Sequence, residues 1–176
     1  MKIALLILCL SFPLLIFACS CNEPLSIKEA YAITPVILSG KVLRLSYISI
    51  WETMAPKKRI QAKEAFLKTQ PQTKVLENPI IQKIEFEVLK NYKGKNIKDT
   101  IIIFTHRSGA SCGFTWFEAG KDFIIYAGPD SFCYDFYNPN KVENLEQKNT
   151  YWTNQCTRTI NYHEEEGNKL MLLSKK

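Results

Sequence analysis

The alternation of apolar and polar positions predicts a chain built mainly from β-strands. Residues 84–88 alternate strictly, so one face of this segment is apolar and the other is charged. Residues 36–47 are rich in Val, Ile and Leu, and Gly40 within them indicates a bulge or sharp bend. Three more β-rich runs, at residues 100–105, 121–126 and 151–157, bring the predicted number of strands to five.

Short helices are predicted on both sides of the strands. Residues 25–32 are expected to be helical, because Ser26 and Glu29 stand at the spacing of a capping box. Residues 161–173 are expected to be helical, because three glutamates at 164–166 place negative charge in the first turn. Five strands with a bend in the first and helices at both ends suggest a small closed barrel of the OB type.

Two connections interrupt this pattern. Residues 91–95 are predicted to form a turn between strands. Residues 51–79 carry several lysines and three prolines, and we interpret them as a long, mobile, solvent-facing excursion in which 59–69 form a short helix. A solvated face explains the basic run of this excursion more simply than a binding patch does.

The first 18 residues have the pattern of a secretory signal peptide. Lys2 precedes an almost wholly apolar run from 3 to 18, which is short for a membrane span. Ile16 and Ala18 fit the −3 and −1 positions of an ordinary signal peptidase site. Residues 16–19 also form an imperfect lipobox, in which Cys19 would be lipidated, and the sequence leaves both routes open. We expect an exported protein, extracellular or periplasmic, bound to the membrane only if Cys19 is lipidated.

Removal of residues 1–18 from the 176-residue chain leaves about 158 residues, enough for one domain at 19–176. The net charge of +6 is spread along the chain and, in an exported protein, does not imply a nucleic-acid partner. The sequence contains no evident Ser/His/Asp set, carboxylate pair or nucleotide-binding loop. We therefore expect a protein that is not an enzyme and that holds no cofactor. We also expect a monomer.

Cysteine pairing depends on the fate of Cys19. Once Cys9 leaves with the signal peptide, five cysteines remain, and export favours disulfides. If Cys19 is lipidated, the other four can pair completely; if it is free, Cys133 or another thiol stays single. A metal site built from the Cys19-x-Cys21 pair with Cys112 and His106 is the less common use of cysteines in exported proteins.

The two histidines and six of the aromatic residues have a simple structural interpretation. His106 and His163 are expected at the surface or at strand ends. Six aromatic residues could form a binding face, although packing in the core or in turns explains most of them. These residues are Trp116, Phe117, Tyr134, Phe136, Tyr137 and Trp152.

Several short motifs occur in a fixed order along the chain. They are Cys19-Ser20-Cys21, Ala30-Tyr31, Gly40-Lys41-Val42, Phe86-Glu87-Val88, Tyr92-Lys93-Gly94, Ser111-Cys112-Gly113-Phe114, Gly120-Lys121 and Cys156-Thr157-Arg158-Thr159. In this order the set resembles the netrin-like domain of the tissue inhibitors of metalloproteinases, in its bacterial form, over nearly all of residues 19–176. Ala32 stands where the animal domain has a further cysteine, and Cys133 has no counterpart in the family pattern.

The resemblance implies a five-stranded OB barrel whose N-terminus is held by Cys19–Cys112 and Cys21–Cys156 disulfides. With a lipidated Cys19, the pairs would instead be Cys112–Cys133 and Cys21–Cys156. The resemblance also implies an inhibitory edge formed by two segments of the chain. Its residues are Cys19, Ser20, Cys21, Asn22, Glu23, Ser108, Gly109, Ala110, Ser111 and Cys112.

The chemistry of this edge would centre on the start of the mature chain. A catalytic zinc keeps an open position for water, and the Cys19 α-amine and carbonyl oxygen could chelate that zinc and displace the water. Ser20 would then point into the specificity pocket of the protease. We therefore expect a zinc metalloprotease as partner. The alternative is a lipid-anchored envelope module that uses the same barrel for binding or structure without inhibition.

Overall fold

One curled, half-barrel sheet of six strands dominates the fold. The computed structural model describes residues 21, 25–54, 56–69, 80–129 and 149–175. The strands are β1 (Val36–Ser49), β2 (Ile80–Lys93), β3 (Thr100–His106), β4 (Asp122–Ala127), β5 (Thr150–Trp152) and β6 (Ile160–Asn161). Their order in the sheet is β5-β3-β2-β1-β4-β6, with β3 and β5 parallel and the other neighbours antiparallel. The mainly β class is thus confirmed, although the described residues contain six strands where five were predicted.

The strand boundaries correct the sequence prediction in two places. The predicted turn at 91–95 is wrong in its first half, because Asn91 and Lys93 pair with β1 and belong to β2. Tyr92, which lies between them, is buried in a cluster with Ala30 and Leu170. This burial extends the strand into residues for which the local sequence pattern predicts a turn. The strand predicted at 151–157 ends at Trp152, so Cys156 lies in a turn. The two-residue β6 was not predicted.

The first strand bends where the sequence predicts it. Pairing between β1 and β2 shifts register three times, once between Ser39 and Gly40. A Cβ atom on Gly40 would lie 1.9 Å from the carbonyl oxygen of Glu87 on β2. Only glycine permits this close approach of the two backbones, and the register shift beside it marks the predicted irregularity in β1.

Apolar side chains inside the curve of the sheet form the main core. This cluster includes Leu38, Val42, Ile84, Phe86, Ile103, Phe114, Phe117, Phe123 and Ile125. Phe114 and Phe117 pack edge to face at 4.7 Å between ring centroids. Phe117 and Trp152 are 5% and 1% exposed, so both are core residues as expected. Trp116, by contrast, is 61% exposed. Tyr134, Phe136 and Tyr137 lie outside the described residues.

A second core cluster corrects the interpretation of residues 51–79. Trp51 and Met54 are 2% and 6% exposed and pack with Phe104 and Trp152, so the start of this excursion is not solvent-facing. They belong to a 3₁₀ turn at Ile50–Thr53 and the residue after it. The helix that follows, α2, spans Pro56–Thr69 and is longer than predicted. Residues 70–79 lie outside the described part of the chain.

Two further helices, α1 (Ile27–Ile33) and α3 (Glu164–Ser174), pack against one another and against β1, β2 and β4. The predicted capping box is confirmed, since the Ser26 hydroxyl accepts from the Glu29 N–H and the Glu29 carboxylate accepts from the Ser26 N–H. The described residues contain no helix of the length and apolarity that crossing a membrane requires. The predicted signal peptide at 1–18 lies outside them.

Candidate functional site

The loop at residues 108–112 leaves the end of β3 and folds back on itself. A 3₁₀ turn at Gly109–Ser111 is closed by the Ser108 carbonyl oxygen, which accepts from the Ser111 N–H at 3.2 Å and the Gly113 N–H at 2.9 Å. Cys112 ends the turn in the left-handed conformation, with φ 59°. Ser108 and Ala110 are exposed at the tip of the loop.

Residues at the base of the loop fix it to the sheet. A Cβ atom on Gly113 would lie 1.9 Å from the carbonyl oxygen of His106, so the backbone here has no room for a side chain. The next N–H, that of Phe114, donates to the buried Thr105 hydroxyl at 2.8 Å. The loop is therefore held in place by the close approach of its backbone to His106 and by the hydrogen bond to the Thr105 side chain.

A turn that carries Cys156 lies against this loop. The side-chain oxygen of buried Asn154 accepts from the N–H groups of Cys156 and Thr157, at 2.8 and 3.0 Å. This Asx turn holds Gln155 so that its N–H donates to the Cys112 carbonyl oxygen at 2.9 Å. Sequence reasoning missed Asn154 and Gln155 because it placed them in a strand, although Asn154 ahead of Thr157 is typical of such turns.

A disulfide joins Cys21 to Cys156, with 5.1 Å between their Cα atoms. This is the pair that the family resemblance implies. Since Gln155 contacts Cys112, the disulfide places Cys21 next to the loop, and Cys21 and Cys156 are both exposed. Of the predicted edge, the structure therefore brings together Cys21 and residues 108–112. Cys19, Ser20, Asn22 and Glu23 lie outside the described residues.

Cys112 is also disulfide-bonded. Cys19 and Cys133, the two partners considered for it, both lie outside the described residues. Because Cys21 and Cys112 are bridged, neither offers a thiolate to a metal, which argues against the cysteine-histidine metal site considered above. Within the described ranges, no three His, Cys, Asp or Glu side chains are grouped so as to hold a metal ion.

Arg107 and Tyr47 form a second exposed feature beside the loop. The Arg107 guanidinium lies 5.6 Å from the centre of the Tyr47 ring, a cation–π distance. Arg107 directly precedes the loop, and Tyr47 is 61% exposed on β1. Neither residue was singled out from the sequence, because they are adjacent only after β1, β2 and β3 pair.

His106 lies at the end of β3, as predicted, but it is 5% exposed and so is not a surface residue. Its ring lies 5.9 Å from that of Trp152. Burial lowers the pKa of His106 below its ordinary value. His163, by contrast, is exposed at the residue before α3.

The buried histidine predicts a stability that decreases below neutral pH. In the unfolded chain His106 takes up a proton at about pH 6.5, whereas in the folded protein it does so only at lower pH. The free energy of unfolding should be fully retained above that value and should fall below it, by at most about 1.4 kcal/mol per pH unit. Urea unfolding of wild type and H106Q between about pH 7.5 and 5 measures this slope, which H106Q should reduce.

The matched control is H163Q, which removes the other histidine of the chain from an exposed position and should keep the wild-type slope. An H106Q protein whose pH dependence equals that of wild type would contradict the assignment.

Comparison with known proteins adds no relative to this description: no protein-family model matches the chain, and a search of curated proteins finds no significant match.

Proposed function

We propose that this protein is an exported inhibitor of zinc metalloendopeptidases, similar to the tissue inhibitors of metalloproteinases, and that its inhibitory edge is formed by Cys19–Glu23 and residues 108–112. The observation that carries the proposal is the position of Cys21. Its disulfide to Cys156, together with the Gln155–Cys112 hydrogen bond, holds Cys21 beside an exposed loop. The function would need this arrangement, because both segments must meet one partner at the same time.

The fold that we propose for this function is a five-stranded OB barrel with β6 as an addition at one edge. An isolated antiparallel bridge joins Gly128, directly after β4, to Trp152 of β5. Its two hydrogen bonds measure 2.9 and 2.8 Å. This bridge brings the two sides of the curled sheet together and supports closure through β1 to β5.

Chelation by the first residue is the proposed mechanism. Once residues 1–18 are removed, the Cys19 α-amine and carbonyl oxygen would occupy the open position of the protease zinc. The amine must be deprotonated to coordinate, and an ordinary α-amine has a pKa of about 7.7–8, so this requirement costs little near neutral pH. Disulfide bonds close to the chain end reduce the entropy lost on binding.

The test is an inhibitor with one alanine added before Cys19. The added residue converts the Cys19 amine into an amide, which does not coordinate zinc at neutral pH, and it places the new α-amine one residue further from the bridged cysteines. We expect inhibition of a zinc metalloprotease panel to fall by about a hundredfold or more, with the unfolding midpoint unchanged. The matched control carries one alanine after Lys176 and should inhibit like wild type.

Mass analysis of the mature N-terminus belongs to the same experiment. A free Cys19 that forms a disulfide with Cys112 agrees with the proposal. An acylated Cys19, or full inhibition by the extended variant, would contradict it and would favour the lipid-anchored envelope module.

A further inference from the structure

The Arg158 guanidinium contacts two different parts of the chain. Its Nε and Nη2 atoms donate to the two carboxylate oxygens of Glu166, each at 2.9 Å. Its remaining terminal nitrogen, Nη1, donates to the carbonyl oxygen of Leu25 at 2.8 Å. A bidentate guanidinium–carboxylate pair fixes orientation as well as charge, so the third hydrogen bond has a defined direction.

Glu166 is itself held rigidly. It lies in the first turn of α3 and is only 6% exposed. The hydroxyl of Tyr126, in the core of the sheet, donates to it at 2.7 Å. Burial, reinforced by this hydrogen bond, raises the pKa of Tyr126 above its ordinary value, so the hydroxyl remains a donor. The guanidinium is thus attached to the core and not to a mobile surface residue.

Leu25 lies between the N-terminal disulfide and helix α1. Cys21 forms a disulfide with Cys156, and the Leu25 carbonyl oxygen accepts a hydrogen bond from Arg158, two residues after Cys156. One short segment, residues 156–158, therefore holds the N-terminal chain at two points. The proposed Cys19–Cys112 disulfide would restrain the chain on the N-terminal side of Cys21, and the hydrogen bond to Leu25 restrains it on the side of α1.

We propose that Arg158 is a positioning residue for the N-terminal edge: by holding the Leu25 carbonyl, it restrains Leu25 beside the turn that carries the Cys21–Cys156 disulfide and so increases affinity for a metalloprotease. This inference rests on the proposed function. Its physical basis is preorganisation, because a segment that is already ordered loses less entropy on binding.

The test variant is R158K. Lysine keeps a positive charge opposite the buried Glu166, which avoids an unpaired buried carboxylate. A single ammonium group does not reproduce the planar fork that bonds Glu166 and Leu25 together. The loss of one charge-assisted hydrogen bond should raise the inhibition constant roughly tenfold. Amide hydrogen exchange in residues 25–30 should accelerate by a similar factor.

Two controls separate positioning from general stability. I103V removes one methyl group from the main core, whose residues include neither Arg158 nor Leu25, so it should lower stability without changing inhibition at temperatures where the protein is fully folded. R44K alters an arginine paired with Glu85 between β1 and β2 and should change neither readout.

The outcomes distinguish this inference from the proposed function. If wild type inhibits a protease and R158K inhibits it equally well, the inference is overturned. If wild type inhibits no protease, the proposed function fails, and hydrogen exchange still decides the role of Arg158. Faster exchange in R158K than in I103V supports positioning of the N-terminal segment, and equal exchange overturns it.

Discussion

Replacing Gly113 with alanine is expected to lower the free energy of unfolding by about 4 kcal/mol or more. The new Cβ atom would lie 1.9 Å from the carbonyl oxygen of His106 and 2.9 Å from that of Ser108. Both atoms belong to the backbone, so no side-chain rotation relieves the overlap. Either β3 or the loop must move, and movement of the loop also strains the Gln155–Cys112 hydrogen bond.

Urea unfolding of G113A measures this loss directly. G109A is the matched control in the same loop, since its Cβ atom would lie 3.3 Å from the side-chain oxygen of Gln155, which can rotate away. We expect G109A to change stability by less than about 1 kcal/mol. Equal unfolding midpoints for the two variants would show that the backbone at Gly113 has more room than we infer.

Removing the Cys21–Cys156 disulfide should produce the second largest effect. The bond closes a loop with a sequence separation of 135, which strongly restricts the unfolded chain. The disulfide at Cys112 already restricts the same chain, so we expect the double variant C21S/C156S to lose about 2–4 kcal/mol. If the protein inhibits a metalloprotease as proposed, inhibition should weaken as well, because Cys21 would lose its covalent attachment to Cys156.

Guanidinium unfolding with and without reductant tests this second expectation. The double variant should lose further stability on reduction, because the bond at Cys112 remains in it. Wild type and variant should become equal once both are fully reduced. A double variant as stable as oxidised wild type would mean that the disulfide contributes nothing to the fold.

Local pattern was enough to predict much of the sheet. Strict alternation at 84–88 identified β2, and Gly40 identified the bend of β1, because both depend on geometry within one or two strands. The extension of β2 to Lys93 depends on the burial of Tyr92 by α1 and α3, which the local sequence does not encode. The burial of Trp51 was missed for the same reason. The charged residues after Trp51 predict exposure, and the local sequence does not show that its ring packs in the core.

The candidate site, too, was predicted only in part from the sequence. The expected export and the number of cysteines indicated disulfides, and the family resemblance supplied the pair Cys21–Cys156. The turn that positions this pair depends on one side chain, Asn154, competing successfully with strand pairing after Trp152. The contact between Arg158 and Leu25 joins residues 133 positions apart, a relation that no periodicity reveals.

The attachment of the N-terminal segment to residues 156–158 also sets an order of events during synthesis. Cys21 and Leu25 leave the ribosome early, yet their partners are made only when most of the chain has been translated. The parallel pairing of β5 with β3 likewise forms only after residues near 150 have been synthesised. Contacts between distant positions slow folding, and domains of this kind fold in about milliseconds to seconds. The first described residues to be synthesised are thus among the last to reach their final positions.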